Sequence, residues 1–174
     1  MAKEHADQPT WVDLGLPDLR TLEREFRASA KEELPPSETV AEALKTPEHH
    51  FGFMDDTQQE TTIDTPIGPI TIPRCNLLHI VEKRPDARER FVKLALDTLD
   101  GPFEVWKVSY DDDSHRYAFI GSYESKRQML VVVSIWDGNV LWNFMNSEAK
   151  SLNKHRHGEL VYRRYSPLQN KKGS

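Results

Sequence analysis

Apolar residues change their spacing partway along this chain. From Leu19 they recur three or four apart, at Leu19, Leu22, Phe26 and Ala30. That spacing predicts a helix over about 18–33, with Asp18 as N-cap and Pro35-Pro36 as its stop. Ser37 caps a second, short helix over 37–45, with Val40, Ala41 and Leu44 on one face, ending before Pro47. Residues 47–68 lose the period and are punctuated by Pro, Gly, Asp, Thr and Gln, so they predict a loop and the best boundary in the chain. Gly68-Pro-Ile-Thr-Ile-Pro73 reads as a short edge strand, because its prolines could not pair at a sheet centre. A helix of one or two turns is expected over about 76–83. Leu77, Ile80 and Val81 share one face, and His79 and Lys83 lie four apart on the opposite one. Pro85 opens a further helix with a buried stripe of Phe91, Leu94, Ala95, Thr98 and Leu99, stopped by Gly101-Pro102.

Beyond Gly101 the pattern is that of strands. Four are expected, at 103–110, 116–123, 128–136 and 140–146, the third being the most apolar and therefore central. Asp137-Gly138 is a hairpin signal between the last two. A basic segment, 147–157, is helix or loop, and Gly158 releases a last strand over 159–165. Trp106, Trp136 and Trp142 fall at strand period and read as core more readily than as base-stacking platforms. The order predicts an α+β fold: N-terminal helices followed by a mainly antiparallel β-meander sheet, not a βαβ unit. The expected division is a helical N-terminal extension, 1–61, and a working domain, 62–174.

Charge sharpens that division. The 174 residues carry a formal net charge of -5. Residues 1–73 hold 6 Lys/Arg and 15 Asp/Glu, for -9, whereas residues 74–174 hold 17 and 13, for +4. An acidic extension beside a basic domain is the expectation, with the two halves attracting each other. Short amphipathic helices usually complete a core, so the extension is expected to be structural rather than a cover over the cleft. The lone cysteine, Cys75, excludes a disulfide framework and reads as a small buried apolar residue. No run approaches the roughly 20 apolar residues of a membrane span, and Met1-Ala-Lys-Glu-His lacks a signal peptide's apolar stretch. The expectation is a cytoplasmic protein, or one delivered into a target cell's cytoplasm, with no membrane partner.

The sequence has no GxGxxG, Walker, HExxH, GxSxG or paired CxxC motif, which removes the commonest nucleotide, zinc-protease and hydrolase readings. What remains is a titratable imidazole, His79, and the basic run Lys150-Ser-Leu-Asn153-Lys154-His155-Arg156-His157-Gly158. Such a set suits either cleavage of RNA by its own 2′-hydroxyl or plain phosphate binding.

Residues Thr65-Pro-Ile-Gly68, Leu78-His79-Ile80, Lys83, Arg90-Phe91, Thr98-Leu99, Pro102, Glu104-Val105-Trp106 and the ending Lys150, Asn153, Arg156, Gly158, Leu160, Tyr162 resemble a phage-associated nuclease domain. That domain belongs to the barnase/EndoU/colicin/RelE-like superfamily, and the resemblance spans about 62–165. It implies a metal-independent ribonuclease of the kind found in phage polypeptides and polymorphic or contact-dependent toxins. The implied substrate is RNA, with tRNA a candidate. An immunity or inhibitor protein is a possible second partner, and no cofactor is expected. It also marks His79, Lys83, Lys150, Asn153 and Arg156 as site positions.

Metal-free RNA cleavage needs a base for the 2′-hydroxyl, an acid for the leaving 5′-oxygen and cations for the phosphorane. His79 suits a proton transfer, since imidazole titrates near neutrality. Its plainer reading is a surface histidine. Lys83 and Lys154 would attract phosphate, Lys150 and Arg156 would stabilise the transition state, and Asn153 would contact a base edge. Ser134 on the central strand and Tyr117 or Tyr162 on neighbouring strands are candidates to face the cleft. The plainer reading of the whole basic run is a solvated turn. His155 and His157 form an HxH pair with no further ligands, so no metal site is expected, although one of the two could be a second proton shuttle. Asp111–Asp113 lacks the spacing of a calcium loop and reads as a solvated hairpin. His49-His50 falls in the expected loop and carries no assignment. The rival to a ribonuclease is an inert nucleic-acid- or protein-binding domain of a phage or effector protein.

Overall fold

The computed structural model describes residues 2–135 and 138–165. Its strands are β1 (Glu60–Thr65), β2 (Gly68–Pro73), β3 (Glu104–Ser109), β4 (His115–Gly121), β5 (Gln128–Ile135), β6 (Asn139–Ser147) and β7 (Glu159–Arg163). Its α-helices are α1 (Val40–His50), α2 (Arg74–Val81), α3 (Val92–Asp100) and α4 (Ala149–Asn153). The strands form one sheet in the order β1-β2-β6-β5-β4-β3-β7. The expected meander is its centre: β3 to β6 pair successively antiparallel, and β7 returns antiparallel on β3. β2 joins β6 in parallel at Thr71↔Val140, which makes the sheet mixed.

Alternation along the central strands gives the sheet two buried faces. On one face Val105, Phe119, Val131, Val133, Leu141 and Phe144 pack against α1, α2 and α3. On the other, Trp106, Val108, Ala118, Ile120 and Leu130 pack against Leu16, Leu19, Leu22 and Leu152 of α4. Gly121 lets α3 lie directly on β4, since a Cβ there would fall 2.3 Å from Thr98 Oγ1. Tyr123 then locks the contact by donating its hydroxyl to Asp97 Oδ2 at 2.8 Å.

Several expectations are corrected. The α+β class holds, but the helices are distributed among the strands rather than gathered at the N-terminus. The amphipathic stretch 18–33 is not an α-helix. It is an extended strap interrupted by 3₁₀ turns at Leu19–Thr21 and Arg24–Phe26. Its carbonyls find partners elsewhere: Arg27 donates to Leu19 O and Leu22 O at 3.0 Å, and Ala28 pairs with the end of β4 through Ser122 O. Tertiary hydrogen bonds thus replace the helical ladder. The second helix starts from Thr39 as N-cap and continues through Pro47 to His50, so His49 and His50 lie in its last turn. Proline removes a single donor there, and Pro47 is buried. The expected loop contains β1, whose alternating Thr62-Ile63-Asp64 pairs with β2. Cys75 is exposed rather than buried. Asp137 and Trp136 lie outside the described residues.

Candidate active site

The site begins with how α2 is mounted. Leu77, Ile80 and Val81 bury its inner face, which leaves His79 on the open side. Asn76 donates Nδ2 to Leu141 O at 2.8 Å and ties α2 to β6. Beneath His79 lies a pocket of 390 Å³ that also touches Lys83, Arg88, Trp142 and Asn143.

His79 Nδ1 lies 2.9 Å from Glu82 Oε1. An ionised carboxylate only accepts, so Nδ1 carries the proton and Nε2 is the nitrogen left for chemistry. The pair is solvent-exposed, so it orients the ring rather than stabilising the fold. Lys83 lies just past the end of α2 and is exposed. Arg88 is held more firmly, donating to Asn143 Oδ1 at 2.7 Å and to Asp86 Oδ2 at 3.1 Å. It follows Ala87, whose left-handed φ of 43° costs a non-glycine residue about 1–2 kcal/mol. A strained residue therefore sits beside a pocket cation.

The basic run lies on the opposite face of the sheet. Arg156 is fully buried. Its guanidinium forks onto Glu104, with Nε to Oε1 at 2.6 Å and Nη2 to Oε2 at 2.8 Å, while Nη1 donates to Pro17 O and Asn153 Oδ1. Tyr165 donates its hydroxyl to the same carboxylate. Asn153 also accepts from Leu19 N and donates to Asp18 Oδ1. Both residues therefore clamp the strap onto the sheet, and Arg156 presents no open face to a phosphate. Lys150 and Lys154 are exposed on and just after α4, on that same far side. His157 Nε2 lies 2.6 Å from Glu4 Oε2, and burial pushes the neighbouring His155 imidazole below its ordinary range. Ser134 is half-buried on β5 beside Arg116 and Val140, and Tyr162 packs against the core from β7. Of the expected site residues, the pocket thus brings together His79 and Lys83. Lys150, Asn153, Lys154 and Arg156 lie across the sheet from them.

A family model described as phage-Barnase-EndoU-ColicinE5/D-RelE like nuclease 2 matches residues 47–163. The chain belongs to this family. No curated protein and no solved structure matches it. The match begins ahead of the residues that carry the resemblance and takes in the last turn of α1 and all of β1, the edge strand paired with β2. This nuclease-family domain has, among the described residues, no helix long and apolar enough to cross a membrane. Nor do the described residues gather three or more His, Cys, Asp or Glu side chains for a metal ion.

Sequence reasoning missed Arg88, Asn143 and the exposure of Trp142. Arg88 follows a proline-containing turn with no periodic signal. Trp142 was expected in the core, yet a bulge in β6 leaves it outside. Val132 pairs with Asn143 and Val133 with Leu141, so Trp142 is the extra residue.

Proposed function

We propose that this nuclease-family domain is a metal-independent endoribonuclease whose centre is the His79 pocket. The observation that carries the reading is a carboxylate-oriented imidazole sharing one pocket with two cations, Lys83 and Arg88. In this reading His79 Nε2 takes the proton of an RNA 2′-hydroxyl. The 2′-oxygen attacks the adjacent phosphorus, and the bond from phosphorus to the 5′-oxygen breaks. Lys83 gives a proton to that leaving oxygen, and Arg88 faces the charge of the phosphorane. The products are a 2′,3′-cyclic phosphate and a 5′-hydroxyl. tRNA is the proposed substrate, in the cytoplasm of the producing or a target cell, with an immunity protein as partner. Arg156 and Asn153 take a structural role, and Lys150 and Lys154 take none in the chemistry.

The test is a denaturing gel of RNA incubated with the full chain in EDTA. Cleavage in the chelator is expected, with cyclic phosphate ends, and His79→Ala lowers the single-turnover rate by about 10²–10⁴. Cleavage that requires magnesium, or a folded His79→Ala variant at parental rate, would falsify the mechanism. One observation favours the rival reading of an inert binding domain: among the described residues, His79 is the single imidazole lining the pocket. Binding without any cleavage would select that alternative.

A further inference from the structure

Trp142 is half exposed, at 50%, while its neighbours Leu141 and Phe144 on the same strand are fully buried. The bulge that displaces it leaves a large indole with no place in either core. Half of the indole surface is thus accessible to a ligand. Two further observations point to what it meets. The Arg116 guanidinium lies 5.4 Å from the Trp142 ring and 4.7 Å from the Tyr110 ring, which holds the indole in place and adds a cation beside it. Trp142 also borders the pocket that contains His79, Lys83 and Arg88.

We propose that Trp142 is a stacking platform for one unpaired base of a single-stranded nucleic acid, placed next to the phosphate that enters the His79 pocket. The inference rests on the reading of that pocket as a nuclease centre. A fixed aromatic ring beside cations binds a base through its π-face and the backbone through charge, with little regard to base identity. In a duplex both faces of every base are already stacked on neighbours, so a single aromatic ring selects splayed, unpaired nucleotides. Trp142 therefore determines strandedness rather than sequence. Lys83 and Arg88 supply two cations in the pocket, beside Glu82, and Arg116 supplies one against the indole itself.

The test uses the full chain carrying His79→Ala, so that binding is read without cleavage. The probes are a short fluorescent single-stranded RNA and the duplex of the same sequence, at low salt. Single-stranded RNA is expected to bind more tightly than the duplex. Trp142→Leu should weaken the single strand about ten-fold or more and leave the duplex unchanged, whereas Trp142→Phe should retain most of the affinity. Binding of single-stranded RNA should also quench tryptophan emission in the parent, and Trp142→Phe should lose that quench. The last measurement keeps the test decisive if the leucine variant fails to fold. Equal losses for both strands, an unchanged affinity in Trp142→Leu, a quench that survives Trp142→Phe, or a parent that binds neither probe would each overturn the proposal. Failure of the ribonuclease reading shows separately, as intact RNA on the gel with the wild-type chain.

Discussion

Truncating Arg156 to alanine leaves the Glu104 carboxylate buried without its cation. Breaking a buried pair in this way costs about 3–5 kcal/mol, far more than the ~1 kcal/mol at most that an exposed pair contributes. Arg156→Ala should therefore lower the denaturation midpoint sharply. Loss of cleavage in that variant should track the unfolded fraction rather than exceed it. A stable Arg156→Ala protein with no activity would return Arg156 to the chemistry. The exposed lysines separate by face. Lys83→Ala should flatten the salt dependence of RNA binding by about one unit of slope, because it removes one phosphate contact. Lys150→Ala and Lys154→Ala, on the far side of the sheet, should leave that slope unchanged. A loss of slope at Lys150 or Lys154 equal to that at Lys83 would move the binding surface to α4. At this scale the sequence identified the residue types and could not sort them. Arg156 and His79 read alike until burial separates them, one at zero exposure and the other on an open helix face.

Two titratable groups where the N-terminal segment meets the basic run make the fold sensitive to acid. Burial holds the His155 imidazole below its ordinary value of 6.5, with Glu4 acting against that shift and His157 and Lys154 adding to it. Arg20 and Asn153, through hydrogen bonds, hold the Asp18 carboxyl below the usual carboxylate range. In both cases the unfolded chain binds the proton more tightly than the folded one. The stability they contribute is therefore present at high pH and lost on acidification. His155 begins to cost stability as pH falls below 6.5, and Asp18 as it falls below its ordinary 3.8. Thermal midpoints measured from about pH 8 to 3 should fall in two ranges, the first diminished by His155→Gln and the second by Asp18→Asn. Identical profiles for His155→Gln and the parent would remove the imidazole from the account. The strap's apolar spacing fits a helix. The bonds that Arg27 donates and that Ser122 O accepts from Ala28 N compete with one and are invisible in a linear pattern.

For the whole molecule, the question is whether the first 60 residues can be removed. Leu16, Leu19 and Leu22 complete one core, and Phe51 with Ala43 completes the other. Burial of four such large side chains is worth about 6–12 kcal/mol in total. That equals the net stability of an ordinary domain, about 5–15 kcal/mol. A chain starting near residue 60 should therefore lose cooperative unfolding. A folded and more active fragment would instead make the extension a restraint on the site. The strap covers the face away from His79, and α1 packs against α2 and α3.

The sequence by itself determined the meander, since apolar strand segments joined by short polar turns between Glu104 and Ser147 leave antiparallel neighbours as the simplest pairing. It also determined the inner face of α2, whose apolar triplet points His79 outward, and the family to which the chain belongs. The tertiary structure decided everything that depends on which face of the sheet a segment meets. It carried the basic run across the sheet from His79 and gave Arg156 to Glu104. It also brought Arg88 and Asn143, far apart in sequence, into one hydrogen bond at the pocket. A local pattern records the period of burial along one segment. It holds no information about partners fifty residues away, nor about a one-residue bulge that turns Trp142 from the interior to the surface.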